Sequence, residues 1–322
     1  MKRLLLTACA ALVAVSARAE ELKFGLITPP PHVFTRAAER FGELLAERSG
    51  GRFTVTVHHS GQLGREPEMM QQMASGLLDF GLFTGGIASL RAPSLSGWFT
   101  PFMVDTVEQA ARAAKLPAAR EMLRQLEPAG MIGLGYCFAG MRHVLMRDRF
   151  VTSAEDVRGA KIRITPFPAV KTFWEGMEAV PTPIHLGDIY QALANGVIDG
   201  IDIDLDALTS LKFYEVAKSF TWTNHMAFPA VFVVSRRLWT GLGEDDQRLI
   251  AQVAEEILDW CNAEQAQAEE RNFAVVQQEA RVHRLENARE VFEPGVRAFD
   301  QAYGADPLIR ALREEVREML GR

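Results

Sequence analysis

Cysteine is the scarcest residue in this 322-residue chain, with three in all. One of them, Cys9, lies in an N-terminal apolar stretch, which leaves Cys137 and Cys261 for the folded body. Two thiols so far apart read more readily as separate buried residues than as a bridge, so no disulfide framework is expected. Positive charge is also short: 35 Lys and Arg against 41 Asp and Glu give a net charge of −6. A chain of that sign is a poor partner for nucleic acid or for an anionic membrane surface. No long apolar run follows residue 17, so no membrane-spanning helix is expected beyond it. The signatures of catalysis are missing too. There is no G-x-S-x-G, S-x-x-K, H-E-x-x-H or C-x-x-C, and the G-x-G begun by Gly133 and Gly135 fails at Phe138, where a phosphate cradle needs glycine.

What is present begins with an export signal. Lys2 and Arg3 precede an acid-free run from Leu4 to Ala17, and Ala17-Arg18-Ala19 supplies small residues for cleavage after Ala19. Leu6-Thr7-Ala8-Cys9 has the look of a lipoprotein box, but almost no apolar segment precedes it. Residues 1–19 are therefore expected to be a signal peptide. Their removal takes away Lys2, Arg3 and Arg18 and moves the net charge to −9. About three hundred residues then remain, enough for two cores.

The remainder alternates strand and helix. Strands are expected at 22–28, 52–59, 77–86 and 130–138, with helices between them, which reads as a βαβαβ unit on a parallel sheet. A second series has strands at 142–147, 161–165 and 197–204, helices at 169–177 and 186–196, and a capping box at Ser153 and Asp156. Residues 220–235 read as long strands passing between the two units. Residues 244–279 form a helical pattern with few breakers, long enough to lie across both lobes, and two more helices end the chain. The expected fold class is α/β, with two lobes, crossing strands, a long spanning helix and a cleft between the lobes. Residues 20–140 plus 228–270 are expected to form lobe I, and 141–227 plus 271–322 lobe II.

Two charged clusters need partners. In KIRITP, Arg163 sits within an apolar strand, where a guanidinium is seldom buried unless paired. Its partner is either an internal Asp or Glu or an anion from outside. In DIDLD, Asp202, Asp204 and Asp206 fit three roles: a strand-end acid near the cleft, a helix N-cap at Asp204 or Asp206, and a divalent-metal site, in falling order.

Several longer stretches resemble one family. The segment SGGRFTVTVHHSGQLGREPEMMQQMASGLLDF (49–80), then SAEDVRGAKIRI (153–164), PTPIHLGDIYQALANGVIDG (181–200) and KFYEVAKSFTWTNH (212–225) are similar, in order, to the extracytoplasmic solute receptors of TRAP transporters. The resemblance covers nearly the whole chain after the signal. It implies a periplasmic-binding-protein clamshell without catalysis, which binds a small organic acid and delivers it to a membrane permease driven by an ion gradient. It implies that Arg163 holds the ligand carboxylate through its planar fork, with Arg142 as a second cleft arginine.

Where family members commonly carry acid-then-asparagine, this chain has Asp202 and Ile203, so one polar contact becomes apolar. Other positions implied at the cleft are His32, Glu66, Trp98, Phe167, Trp174 and Phe228. These aromatics beside Ile203 suggest a monocarboxylate with an apolar or aromatic body, while a ligand hydroxyl or amino group facing Asp202 keeps sugar acids and ectoine-like zwitterions open. No cofactor is expected, and the ligand count and spacing of DIDLD are incomplete for a tightly bound metal, although a metal-bridged ligand is a variant in this family; the acidic charge and the lack of a second long apolar run speak against nucleic acid and membrane insertion. A different class remains open, a secreted two-lobed metal-dependent enzyme using Asp202, Asp204 and Asp206, and so does a ligand-sensing module for a membrane receptor.

Overall fold

The computed structural model describes residues 19–322, so the expected export signal lies outside the described residues but for its last position. Ten strands form: β1 Glu20–Gly25, β2 Phe53–His58, β3 Phe80–Thr84, β4 Met131–Met146, β5 Lys161–Ile164, β6 Val180–Pro183, β7 Gly200–Asp204, β8 Ser219–Trp222, β9 Ala227–Ser235 and β10 Arg281–Arg284. Their order is β2-β1-β3-β9-β4-β7-β5-β6, with β8 branching from β4 and β10 beside β8. Among the described residues no helix is long and apolar enough to cross a membrane.

The expected parallel βαβαβ unit forms in part. β1 pairs in parallel with β2 and β3, but β4 does not neighbour β3. β9, which arrives some ninety residues later, lies antiparallel between them. Its continuous apolar run, AFPAVFVVS, is buried at every position, as a central strand requires.

The expected strands at 130–138 and 142–147 are one strand. β4 pairs with β9 up to Met141 and with β7 from Arg142 onward, so a single strand passes from the first half of the molecule to the second. Of the two irregularities in its pairing with β9, the second falls between Phe138 and Met141, where Gly140 takes φ 127°. That backbone conformation is one that residues with a side chain rarely adopt, and a Cβ there would also press on the carboxylate of Glu269 on the long helix, so the crossing point favours glycine.

The helical stretch expected between the strands at 77–86 and 130–138 contains two separate helices, Val107–Ala113 and Pro117–Arg124. Proline is tolerated at a first helical position but not within a helix, and Pro117 starts the second. The long helix spans Glu244–Glu279 and packs on β4, on the first helix (Val33–Arg48) and on the short helix Leu205–Ser210. It therefore touches both halves. Helix Glu293–Tyr303 packs on helix Pro168–Gly176, whereas the last helix, Pro307–Leu320, packs on Pro117–Arg124 and Val107–Ala113.

Cys137 on β4 and Cys261 on the long helix form a disulfide, with Cα atoms 6.1 Å apart and a sequence separation of 124. This corrects the expectation of two separate thiols. Spacing along the chain carried no sign of it, because the pairing arises only when the helix crosses the strand. A closed loop of that length constrains the unfolded chain. Replacing both cysteines with alanine is expected to cost about 2–4 kcal/mol, read as a lower denaturant midpoint without reductant. An unchanged midpoint would mean that the bridge contributes nothing.

Candidate functional site

The two halves meet at Arg142. Its N–H donates to the Met226 carbonyl at 2.6 Å, and its own carbonyl accepts from His225 N at 3.1 Å, so both crossing segments are fixed at this residue. The side chain is buried in a charged network. Nε donates to Asp202 at 2.5 Å, Nη1 to Asp204 at 2.9 Å, and Nη2 to the Asp202 carbonyl oxygen, while the guanidinium lies 4.3 Å from the Phe228 ring centre. Asp202 also accepts from Trp174 Nε1 at 2.8 Å, and His225 Nε2 is 3.2 Å away. Burial alone would raise the Asp202 carboxyl, but Arg142, His225 and Trp174 hold it well below the usual carboxylate range. Asp204 caps Leu205–Ser210, accepting from Ala207 N at 2.8 Å, so the N-cap reading of that residue is the one observed.

Arg163 is different. On β5 it is paired through the backbone with β6 and β7 and only 2% exposed, yet among the described residues no carboxylate pairs with it. Nε donates to the Ile184 carbonyl at 2.8 Å, and among the described residues Nη1 and Nη2 make no hydrogen bond to protein. Burial, followed by the nearby Arg142, pulls this guanidinium down to about 9, which leaves it cationic at neutral pH.

Arg163 lines an inner chamber of about 30 Å³ with Arg142, Asp204, His32, Phe34, Ile203 and Phe228 among its walls. That is room for about two water molecules, the bulk of one carboxylate. Thr28, Thr84 and Thr165 add hydroxyls. Ile27 and Leu186 are shared with an outer cavity of about 460 Å³, whose walls include Arg65, Glu66, Glu68, His185 and Asp188.

The residues expected at the cleft divide accordingly. Arg163, Arg142, Ile203, His32 and Phe228 line the inner chamber, and Glu66 lines the outer cavity. Asp202 lines neither, because its carboxylate is consumed by Arg142, Trp174 and His225. Trp98 lies in the core against Tyr136 and Phe138, Phe167 packs on Phe99, and Trp174 faces Asp202. The aromatic platform is therefore absent from the chamber walls, where Phe34 and Phe228 are the aromatic rings apart from His32. Three threonines were missed. Thr165 was reachable, since it stands two residues beyond Arg163 and strand alternation puts such pairs on one side; Thr28 and Thr84 carry no local signal.

Asp202 and Asp204 share Arg142, Asp206 accepts from Val33 N, and among the described residues no group of three His, Cys, Asp or Glu is arranged to hold a metal.

Glu66 begins helix Glu66–Ser75 and accepts from Thr84 N at 2.6 Å and Thr84 Oγ1 at 3.0 Å. Burial pushes its carboxyl up to about 7 against those two bonds. An acid with a raised folded pKa keeps its proton longer when folded, so its contribution to stability is largest below its unfolded pKa and is lost as pH rises through 7. Glu66→Gln keeps both contacts without titrating. Relative to the parent it should gain roughly 1–3 kcal/mol between pH 5 and 8, and a flat difference in denaturation midpoints would contradict that. Arg142→Met leaves two buried carboxylates unbalanced and should cost about 3–5 kcal/mol, seen as a collapsed thermal midpoint. A midpoint near the parent's would mean the network is not structural.

The chain matches the family described as bacterial extracellular solute-binding protein, family 7, over residues 24–303. A solute-binding protein of Sulfitobacter sp. (strain NAS-14.1) is 27% identical over 317 residues, 94% of each chain. Among solved structures, a TRAP periplasmic solute-binding protein of Bradyrhizobium sp., in complex with α/β-D-galacturonate, superimposes with a TM-score of 0.87 at 25% identity, over 93% of this chain and all of that one. Another, from Desulfovibrio desulfuricans with bound sn-glycerol-3-phosphate, gives 0.88 at 23% identity, over 93% and 97%. The two-lobed α/β architecture is that of these structures, the chain is a binding protein and not an enzyme, and it belongs to the family 7 bacterial extracellular solute-binding proteins.

Proposed function

We propose that this chain is the periplasmic receptor of a TRAP-type transporter, that it captures a small organic monocarboxylate between its lobes, and that it delivers this ligand to an ion-gradient-driven permease. The export signal read in residues 1–19 supports that location. The observation that carries the ligand class is Arg163: a buried cation with two donor groups unengaged by protein, at the wall of a chamber the size of one carboxylate. Arg142 does not compete, because its charge is already matched by Asp202 and Asp204. Among the described residues Arg163 is the cation of the inner chamber that no carboxylate matches, which favours one carboxylate there, and a second on the ligand would meet Asp204 or Glu66.

Beyond the carboxylate, Ile27, Leu186, Ile203 and Phe228 offer an apolar flank, which keeps an apolar body in play. Three threonine hydroxyls and the polar outer cavity favour a body that also carries hydroxyls. The relative with galacturonate binds an acid of that kind. The lobes are proposed to hinge where β4 crosses at Gly140 and where His225–Phe228 crosses back, with the last helix travelling with the first lobe.

A thermal-shift screen of hydroxylated, aliphatic, aromatic and dicarboxylic acids tests the class. A ligand at a hundred times its dissociation constant adds roughly 2.7 kcal/mol to stability, so a true ligand stands clear of noise. Arg163→Lys keeps the charge and loses the fork, with two charged hydrogen bonds at stake. It should bind roughly tenfold to a few hundredfold more weakly and melt close to the parent. A variant that melts early but binds normally would make Arg163 a structural residue and refute the assignment.

A further inference from the structure

The first helix, Val33–Arg48, belongs to the half that holds β1 and β2, against which it packs. Like any helix it begins with peptide N–H groups that have no partner inside it. Three of the first four, counted from the cap His32, are satisfied locally. His32 N donates to the Pro29 carbonyl at 3.0 Å, Phe34 N to His32 Nδ1 at 3.1 Å, and Thr35 N to the His32 carbonyl at 3.0 Å. The remaining one, Val33 N, donates to Asp206 Oδ2 at 2.7 Å, across 173 residues of sequence. Asp206 follows β7 and belongs to the other half, on a short helix packed against β4 and the long helix.

His32 cannot be its main partner. Nδ1 already accepts from Phe34 N, so its lone pair and the Asp206 oxygen 3.4 Å away are both acceptors while the ring is neutral. The carboxylate thus sits at the positive end of a sixteen-residue helix, buried and bound to a donor from the opposite half. Neighbours on both sides, His32 and Ala207, line the inner chamber, and Asp206 itself does not.

We infer that Asp206 is a clasp between the lobes: its carboxylate closes onto the free N–H of Val33 and holds the chamber shut around a ligand it never touches. This role rests on the receptor reading and adds to it a positioning residue that acts on closure. The charge is the essential feature, because an anion at a helix N-terminus is stabilised by the aligned peptide dipoles and an amide much less so.

The test is Asp206→Asn in the full mature protein, read in two ways. Spin labels on exposed positions, Thr54→Cys in the first half and Val197→Cys in the second, report the distance between halves; the native cysteines are buried and bridged and take no label. With no acid added, the variant should shift toward longer distances than the parent. With the best acid from the thermal-shift screen, dissociation should be about three- to thirtyfold faster, with association within twofold. Identical distance distributions and dissociation rates would overturn the clasp while leaving the receptor reading intact. A lower melting point with unchanged dissociation would also overturn it, since that is a helix cap and nothing more. A parent that binds no acid, beside a variant that still opens, would refute the receptor reading and leave the clasp standing.

Discussion

A guanidinium removed from water must be given hydrogen bonds or an opposite charge, and this molecule handles its two buried cleft arginines in opposite ways. Arg142 receives Asp202, Asp204 and a backbone carbonyl, so its charge is matched within the protein. Arg163 receives one carbonyl oxygen, from Ile184. Burial and the second arginine draw it down to about 9, a direct sign of how poorly its charge is compensated. The deficit faces a small chamber, and any carboxylate entering there repays a desolvation cost already incurred by folding. In the proposed receptor, affinity and selectivity for an anion would follow from that single imbalance.

The fold is arranged to keep the imbalance in place. β4 crosses from one half to the other, β9 is threaded between β3 and β4, and the Arg142 network fixes the crossing points to each other. The long helix lies across both halves and is bound to β4 by the Cys137–Cys261 bridge and by Asn262, whose side chain bonds both Phe138 N and the Tyr136 carbonyl. Those links stiffen the first half up to the crossing point. Beyond it, Gly140 and the segment around His225 are where a change of angle between the halves can be absorbed.

Much of this was legible in the sequence, and the failures have identifiable causes. The long helix was read almost residue for residue, because an unbroken helical pattern is a local property. KIRITP announced a charge in a buried strand, and among the described residues its guanidinium makes one hydrogen bond to protein, to the Ile184 carbonyl. Strand neighbours were not legible: the intrusion of β9 is a long-range event with no local signature. The aromatics misled for a similar reason. Trp98, Phe167 and Trp174 are as apolar as any ligand platform, but sequence does not say which side of a strand or helix meets the cleft and which meets the core. Asp202 was assigned to the ligand because its three internal partners come from three separate segments of the chain.

The central claim is that Arg163 supplies the charge that selects the ligand. A crystal structure of the protein grown with the acid that most raises its melting point tests it most directly. The account predicts both carboxylate oxygens within hydrogen-bond distance of Arg163 Nη1 and Nη2, inside the inner chamber, with Arg142 still bound to Asp202 and Asp204. A carboxylate seated instead in the outer cavity on Arg65 and His185, with no contact to Arg163, would contradict it.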